Sequence, residues 1–341
     1  MEHGSITMEF NVTRRSLLRG GTALAATCIF APSFAGTGLI DARKLKPGQW
    51  EWYPARAPKG PVVVVVTLSD QLVYVYRNGV RIGVSTASTG KRGYETPTGV
   101  FTVLRKERMH HSHKYHNAAM PDSQFFFGGA ALHAGGLPGY PSSHGCVHLP
   151  RAFADRVFGA THNGTPVIVT NEHSGMGSLS HAGLLLTASD LKQVEKLTGN
   201  IRSKSLPFDK KGYSKSASSV VVSRADRKVM VLENGELVME APVHILGSKP
   251  LGEHVFVLQG ASRSSNQLQW LAVGMGAAGK HNVDQYSELA LAQRVKMSSQ
   301  ARDRIARHLH PGSTYVITDL PAHPQTRTAT DFVVMRVGKG N

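Results

Sequence analysis

At 341 residues the chain is long for one compact unit and comfortable for about two. Its 39 Lys and Arg against 23 Asp and Glu leave a formal net charge of +16, which favours polyanionic surroundings. Nucleic acid, an anionic cell wall and a lipid surface all satisfy that field, and charge alone does not choose among them.

The N-terminus does choose. Thr13-Arg14-Arg15-Ser16-Leu17-Leu18-Arg19 precedes a modestly apolar stretch that ends in Ser33-Phe34-Ala35, a small-x-small cleavage pattern. Residues 1–35 therefore resemble a twin-arginine export signal, with an ordinary secretory signal carrying a chance arginine pair as the alternative. Arg19, the glycines and Pro32 interrupt the stretch as a membrane span, so no integral membrane segment is expected after cleavage. Ala25-Ala26-Thr27 is a poor lipobox before Cys28. Export, to the periplasm or cell wall, makes nucleic acid an unexpected partner. It also removes Cys28, so Cys146 becomes a lone thiol with no intrachain disulfide open to it.

After an N-terminal extension, residues 36–59, the pattern turns to strands: a valine run over 62–67, then 72–76, an Asn78-Gly79 pair suited to a tight hairpin turn, and a returning strand over 81–86. The same order recurs from Val220, with Asp70 and Asn78-Gly79 reappearing 156 positions on as Asp226 and Asn234-Gly235. Residues 147–170 overlay 295–318 at a constant offset of 148, pairing Asp155-Arg156-Val157 with Asp303-Arg304-Ile305 and Gly164 with Gly312. A shared hairpin-helix-strand plan arising by chance is the competing explanation. Cys146 falls on Arg294 at that offset, so the second copy is expected to be catalytically silent. The expected layout is a catalytic unit over 60–171, a Gly/Ser/Lys-rich linker over 172–217 with a helix-like patch at 188–197, and a degenerate repeat over 218–341.

Residues 132–150 concentrate three histidines, His133, His144 and His148, and the only mature cysteine in a Gly/Pro-rich loop that leads into a helix near Pro150. A helix N-terminus or a neighbouring imidazole lowers a thiol pKa and makes it a usable nucleophile. The run Met109-His110-His111-Ser112-His113-Lys114-Tyr115-His116 lacks Cys, Asp or Glu at ligand spacing and reads as exposed loop histidines; neither a metal nor a cofactor is expected.

The Ser143-His144-Gly145-Cys146 core with an upstream His133, together with Gly90 and Thr96-Pro97-Thr98-Gly99-Val100-Phe101, resembles the YkuD-type L,D-transpeptidase family over residues 61–170. The resemblance implies a mainly β fold of the sandwich or barrel-like transpeptidase type, in tandem with a degenerate second copy. It makes Cys146 the nucleophile and His133 its base, held by a backbone carbonyl. The Gly145 and Cys146 amides are the expected oxyanion donors, Ser143 and His144 shape the loop, and Tyr140, His111, Tyr115 and His148 are candidate substrate contacts. One position departs from the family, which usually has Arg or Asn two residues past the cysteine. His148 offers at most a pH-dependent charge to a carboxylate.

The implied partners are peptidoglycan stem peptides and, as one acyl acceptor, a wall-attached protein. The implied reaction is transfer through a Cys thioester, with sensitivity to carbapenems. Hydrolysis of the same intermediate, an L,D-carboxypeptidase activity, and a non-catalytic wall-binding module carried by the basic surface are the alternatives.

Overall fold

The structure, a computed structural model, describes residues 40–114, 117–171, 176–180, 217–234, 236–261, 267–274, 291, 293–322 and 333–334. The export signal, the helix-like patch at 188–197, Gly235 and Tyr115 lie outside the described residues.

The strands in the first half are β1 (Trp50–Trp52), β2 (Val62–Thr67), β3 (Leu72–Arg77), β4 (Val80–Thr86), β5 (Gly99–Thr102), β6 (Arg105–Ser112), β7 (Ala118–Phe127), β8 (Ala130–Ala134) and β9 (Val147–Leu149). Helix α1 (Arg151–Ala160) and β10 (Pro166–Thr170) complete it, followed by β11 (Met176–Ser180). The second half holds β12 (Ser218–Ser223), β13 (Lys228–Glu233), β14 (Glu236–Pro242), β15 (His244–Ile245), β16 (His254–Ala261), β17 (Leu268–Gly274), β18 (Val295–Lys296), helix α2 (Ser299–His308), β19 (Thr314–Thr318) and β20 (Val333–Val334). The architecture is mainly β, as the patterning predicts.

Two seven-stranded sheets, ordered β1-β4-β3-β2-β10-β5-β20 and β11-β17-β16-β19-β12-β13-β14, dominate the molecule. Every residue of β2 is buried, which explains its unbroken valine run: both faces of the strand are covered. Val62, Val64 and Val66 face a core closed by α1 and by a four-stranded sheet, β6-β7-β8-β9. Val63 and Val65 face the other way, into a layer that joins Val100, Ile168 and Tyr76 to Val221, Leu232, Val255, Val257, Leu271 and Val316 of the second half. A buried valine contributes roughly 1.5–3 kcal/mol. Exposing the first half's share of this layer would cost on the order of 10 kcal/mol, comparable with the stability of a whole domain. The two sheets thus stand or fall together.

The two halves share their element bounds at the offsets legible in the sequence. β12, β13 and β14 begin and end 156 residues after β2, β3 and β4, while α2 and β19 lie 148 residues after α1 and β10. The ladders repeat as well. Val167 pairs in parallel with Val64, and Tyr315 with Val220. The turn before the last strand closes the same way in both, with Gly164 N donating to Val103 O and Gly312 N to Leu258 O, each at 2.7 Å. The hairpin turns carry left-handed asparagines, Asn78 (φ 50) and Asn234 (φ 52).

Three stretches do more than the sequence predicts. The N-terminal extension supplies β1, whose pairing with β4 seats Trp50 and Trp52 against Phe153 of α1, with ring centroids 6.0 and 5.7 Å away. The stretch expected as a linker contains β11, which pairs with β17 in the second sheet. The far C-terminal strand β20 pairs with β5 of the first sheet. Both exchanges cover strand edges that would otherwise leave ladder groups unpaired, a demand that a short Gly/Ser-containing strand and a two-residue strand do not announce.

Placing a carboxyl in the shared layer tests its energetic weight. Val257→Asp, in the second half, is expected to cost on the order of 4 kcal/mol. Thermal unfolding followed by Trp50 and Trp52 fluorescence in a Trp270→Phe background, which reports the first half, should move down with it in a single transition.

Candidate active site

The four-stranded sheet has two faces with different jobs. Parallel pairing sets Leu132 opposite Val147 and His133 opposite His148. Leu132, Ala134, Val147 and Leu149 enter the core beneath. Strand alternation therefore turns Ala131, His133, Cys146 and His148 to the opposite face. Cys146, one residue before β9, packs there against Met120, Phe125 and Ala131. His133 lies two residues along the neighbouring strand from the position opposite Cys146, about 8 Å between Cα atoms from strand rise and spacing.

Each ring is oriented by the backbone. His133 Nδ1 lies 2.8 Å from the Ala134 carbonyl, so Nδ1 carries the proton and Nε2 keeps its lone pair. His148 Nδ1 lies 3.1 Å from the Gly136 carbonyl, and its ring meets His133 edge-on with centroids 4.8 Å apart. Gly135 permits this approach, since a Cβ there would sit 2.5 Å from the His148 ring. Burial, then the neighbouring His148, then His110 push His133 down to about 4, against a carbonyl bond that raises it. Burial likewise lowers His148. Both imidazoles are neutral at pH 7.

The thiol departs from the sequence expectation. Burial raises the Cys146 pKa, partly offset by an Ala131 backbone hydrogen bond, and Sγ sits 3.9 Å from the Gly129 carbonyl. The expected helix effect is absent because β9 intervenes between Cys146 and α1. Three extended residues are about 10 Å, beyond the reach of a helix end. The resting site is therefore a thiol beside a neutral imidazole, in contrast to a thiolate-imidazolium pair.

The loop before Cys146 is held by a chain of hydrogen bonds that begins in the first hairpin. Gln71, at φ 51, donates from Nε2 to Thr89 Oγ1 (2.7 Å) and accepts from Thr89 N (2.9 Å). The Thr89 carbonyl accepts from Ser142 N and Ser143 N, both at 3.0 Å. Ser143 Oγ then donates to the Cys146 carbonyl at 2.5 Å and accepts from Gly145 N at 3.2 Å. Gly145 takes φ 109, which explains glycine at this position. Its amide is committed to Ser143, which removes it as an oxyanion donor in this arrangement.

The remaining predicted residues divide. His144 is exposed and stands edge-on to Tyr94, centroids 4.6 Å apart. Tyr140 is 62% exposed, and its carbonyl accepts from Ser88 Oγ at 2.7 Å. His111 is exposed, and the histidine of that run that turns to the site is His110, whose ring meets Phe125 edge-on at 4.9 Å and whose Nδ1 lies 2.6 Å from Glu107 Oε2. Sequence reading chose His111 where the structure turns His110 to the site, and it did not reach Glu107, Arg105 or Phe125. Glu107 and His110 share one face of β6, which strict alternation does not give; Asp122 of β7, bonded to the intervening Arg108, takes φ 58, and the ladder keeps one register on both sides of it. Lys106 and Arg108 mark its other face: Lys106 Nζ donates to Phe158 O and Thr161 O of the α1 end, and Arg108 bonds Asp122 and Asp155. Among the described residues no group of three or more His, Cys, Asp or Glu could hold a metal ion.

With this geometry in view, the comparisons with known proteins fall into place. Residues 61–169 match the family model of the YkuD L,D-transpeptidase catalytic domain. This segment is an L,D-transpeptidase catalytic domain. Similar solved structures include an L,D-transpeptidase from Stackebrandtia nassauensis, 32% identical, covering 33% of this chain and 56% of that one, with a TM-score of 0.31. Another, from Mycobacterium tuberculosis H37Rv, is 29% identical over 33% of this chain and 58% of that one, TM-score 0.32. L,D-transpeptidase 3 from Mycobacterium tuberculosis, solved with a faropenem-derived adduct, is 28% identical over 32% and 60%, TM-score 0.31. The chain thus spans less than two thirds of each of these proteins. Among curated proteins none matches the chain by sequence.

In the second half an arginine stands where the transpeptidase domain has its cysteine. The bridge between Ser88 and His148 recurs as the pairing of His244 with Lys296, at the same two offsets. Arg294, at the Cys146 position, donates from its guanidinium to the carbonyls of Leu246 (2.9 Å), Lys249 (2.5 Å) and Pro250 (3.1 Å).

Two outcomes follow for the transpeptidase domain. Alkylation of Cys146 by iodoacetamide should accelerate only above the ordinary thiol range near pH 8.5, with no thiolate plateau between pH 5 and 7; such a plateau would contradict the neutral pair. Ser143→Ala should cost about 1–3 kcal/mol of stability by leaving the Cys146 carbonyl and Gly145 amide without their shared partner, read as a shift in the urea midpoint.

Proposed function

We propose that the protein is a cell-envelope L,D-transpeptidase that acts on peptidoglycan stem peptides through a thioester on Cys146. The observation that carries the reading is one shared sheet face holding Cys146, the carbonyl-anchored His133 and His148 within a segment that matches the L,D-transpeptidase catalytic domain.

In this mechanism His133 Nε2 takes the Cys146 proton as sulfur attacks the carbonyl of the third stem residue. A neutral base beside a protonated thiol suits that step, since proton transfer and attack are coupled and no buried ion pair must be maintained beforehand. The imidazolium then returns the proton to the departing amine, the terminal D-alanine leaves, and the acyl group stays on sulfur. A side-chain amine of a second stem attacks the thioester to form a 3-3 cross-link, or an amine on a wall-attached protein does so. Water in the same place would release a tripeptide. The Cys146 amide is the backbone donor assigned to the oxyanion. Ser143 holds the loop, and His144 and Tyr140 border the cleft.

The residues 1–35 motif and the cell-wall substrate support export to the periplasm or wall. Among the described residues no helix is long and apolar enough to cross a membrane. The second half is a non-catalytic copy whose Arg294 fills the position of the nucleophile and whose sheet buttresses the catalytic one.

Incubation with disaccharide-tetrapeptide tests the reading. Wild type should release D-alanine and yield a product of dimer mass, and Cys146→Ala should yield neither. Tripeptide as the sole Cys146-dependent product would replace transfer by hydrolysis, and no Cys146-dependent product from folded protein would replace the enzyme by a binding module.

A further inference from the structure

The nucleophile and both imidazoles around it are uncharged at neutral pH, yet a stem peptide carries free carboxylates that a selective site must recognise. His148 does not supply a positive charge, and its Nδ1 is engaged by the Gly136 carbonyl. A guanidinium stands on the same sheet face. Arg105 pairs across the strands with Phe125, and its Cζ lies 4.2 Å above the Phe125 ring. Phe125 in turn packs with Ala131 and Cys146. A stacked guanidinium is held in plane over the ring and points its N–H edge outward.

Glu107 sets that orientation. One of its oxygens bonds Arg105 Nη1 and the other lies 2.6 Å from His110 Nδ1, so the carboxylate ties together two groups that flank Phe125. The pair is not sealed from water, since the Arg105 side chain is 57% exposed and Glu107 30%. An exposed pair of this kind contributes little to folding. A guanidinium has five N–H donors, and Glu107 occupies one nitrogen, which leaves a second edge to grip a ligand carboxylate in two-point fashion.

Resting on the stem-peptide reading, we infer that Arg105, stacked on Phe125 and positioned by Glu107, is the carboxylate-recognising residue of the Cys146 site. The carboxylate is either the C-terminus of the departing residue or the side-chain carboxyl of the residue that supplies the acyl group.

Steady-state kinetics on full-length protein decide it, with Arg105→Ala, Arg105→Lys, Glu107→Gln and Lys91→Ala variants and three tetrapeptide substrates. These are the free acid, one with an amidated C-terminus and one with an amidated side-chain carboxyl. Wild type should prefer the free acid over one amidated peptide by about 10- to 100-fold in kcat/KM, the worth of a charge-assisted hydrogen bond. The amide that is discriminated against identifies which carboxylate is read. Arg105→Ala should lose that preference, chiefly through KM. Arg105→Lys should restore part of it, and Glu107→Gln should weaken it with kcat held. Circular dichroism and the urea midpoint of each variant establish that the protein is folded. A preference retained in Arg105→Ala, or lost only in Lys91→Ala, whose ammonium stacks on Tyr94 beside the loop, overturns the proposal. A wild type that turns over none of the three peptides overturns the stem-peptide reading itself.

Discussion

The structure depends on one apolar layer, the face that the two seven-stranded sheets share. The first sheet is buried on both sides, and each side has a different consequence. Toward the second half its valines meet another set of valines. Away from it they support α1 and the small sheet that displays Cys146, His133 and His148. Removing the second half would therefore strip one side of the platform on which the other side builds the site. The crossed edge strands, β11 in one sheet and β20 in the other, bind the halves through their backbones as well.

The same logic explains the precision of the cysteine loop. A Gly/Pro-rich segment has little conformational preference of its own, so its shape comes from the groups it docks against. Those groups are Gln71 and Thr89, fixed in turn by the β2-β3 turn and by the bridge from Ser88 to His148. Ser143 closes the chain onto the Cys146 carbonyl. Burial then sets the chemistry, because the environment that orders His133 also strips its solvation, and the pair rests neutral. The second half keeps the bridge, and Arg294, at the position 148 residues after Cys146, is tied to three carbonyls.

Much of the frame was legible in the sequence. The valine run, the Asn78-Gly79 turn and the offsets of 156 and 148 reappear as strand bounds, a left-handed turn and equal registers. The Ser-His-Gly-Cys core with His133 upstream was plain as a motif, and pairing of β8 with β9 sets His133 beside His148, with Cys146 one residue before β9. What could not be read were features set by tertiary contact. His110 faces the site in place of His111 where Asp122 of the paired strand takes φ 58, and local spacing does not encode it. Three residues of β9 separate Cys146 from α1, so a helix effect inferred from proximity in sequence vanished. The Gly145 amide looked available until Ser143 Oγ was found on it. β1 and β11 were hidden because a three-residue strand and a Gly/Ser-rich strand exist only through the edges they cover.

The central claim is that acyl transfer passes through the sulfur of Cys146. The most direct measurement is intact-protein mass spectrometry of an acid-quenched reaction with disaccharide-tetrapeptide, followed by peptide mapping. The account predicts a mass increase equal to the substrate less D-alanine, carried on the peptide containing Cys146 and released by hydroxylamine. An unmodified Cys146 during turnover, or an adduct carried by another residue, would contradict it.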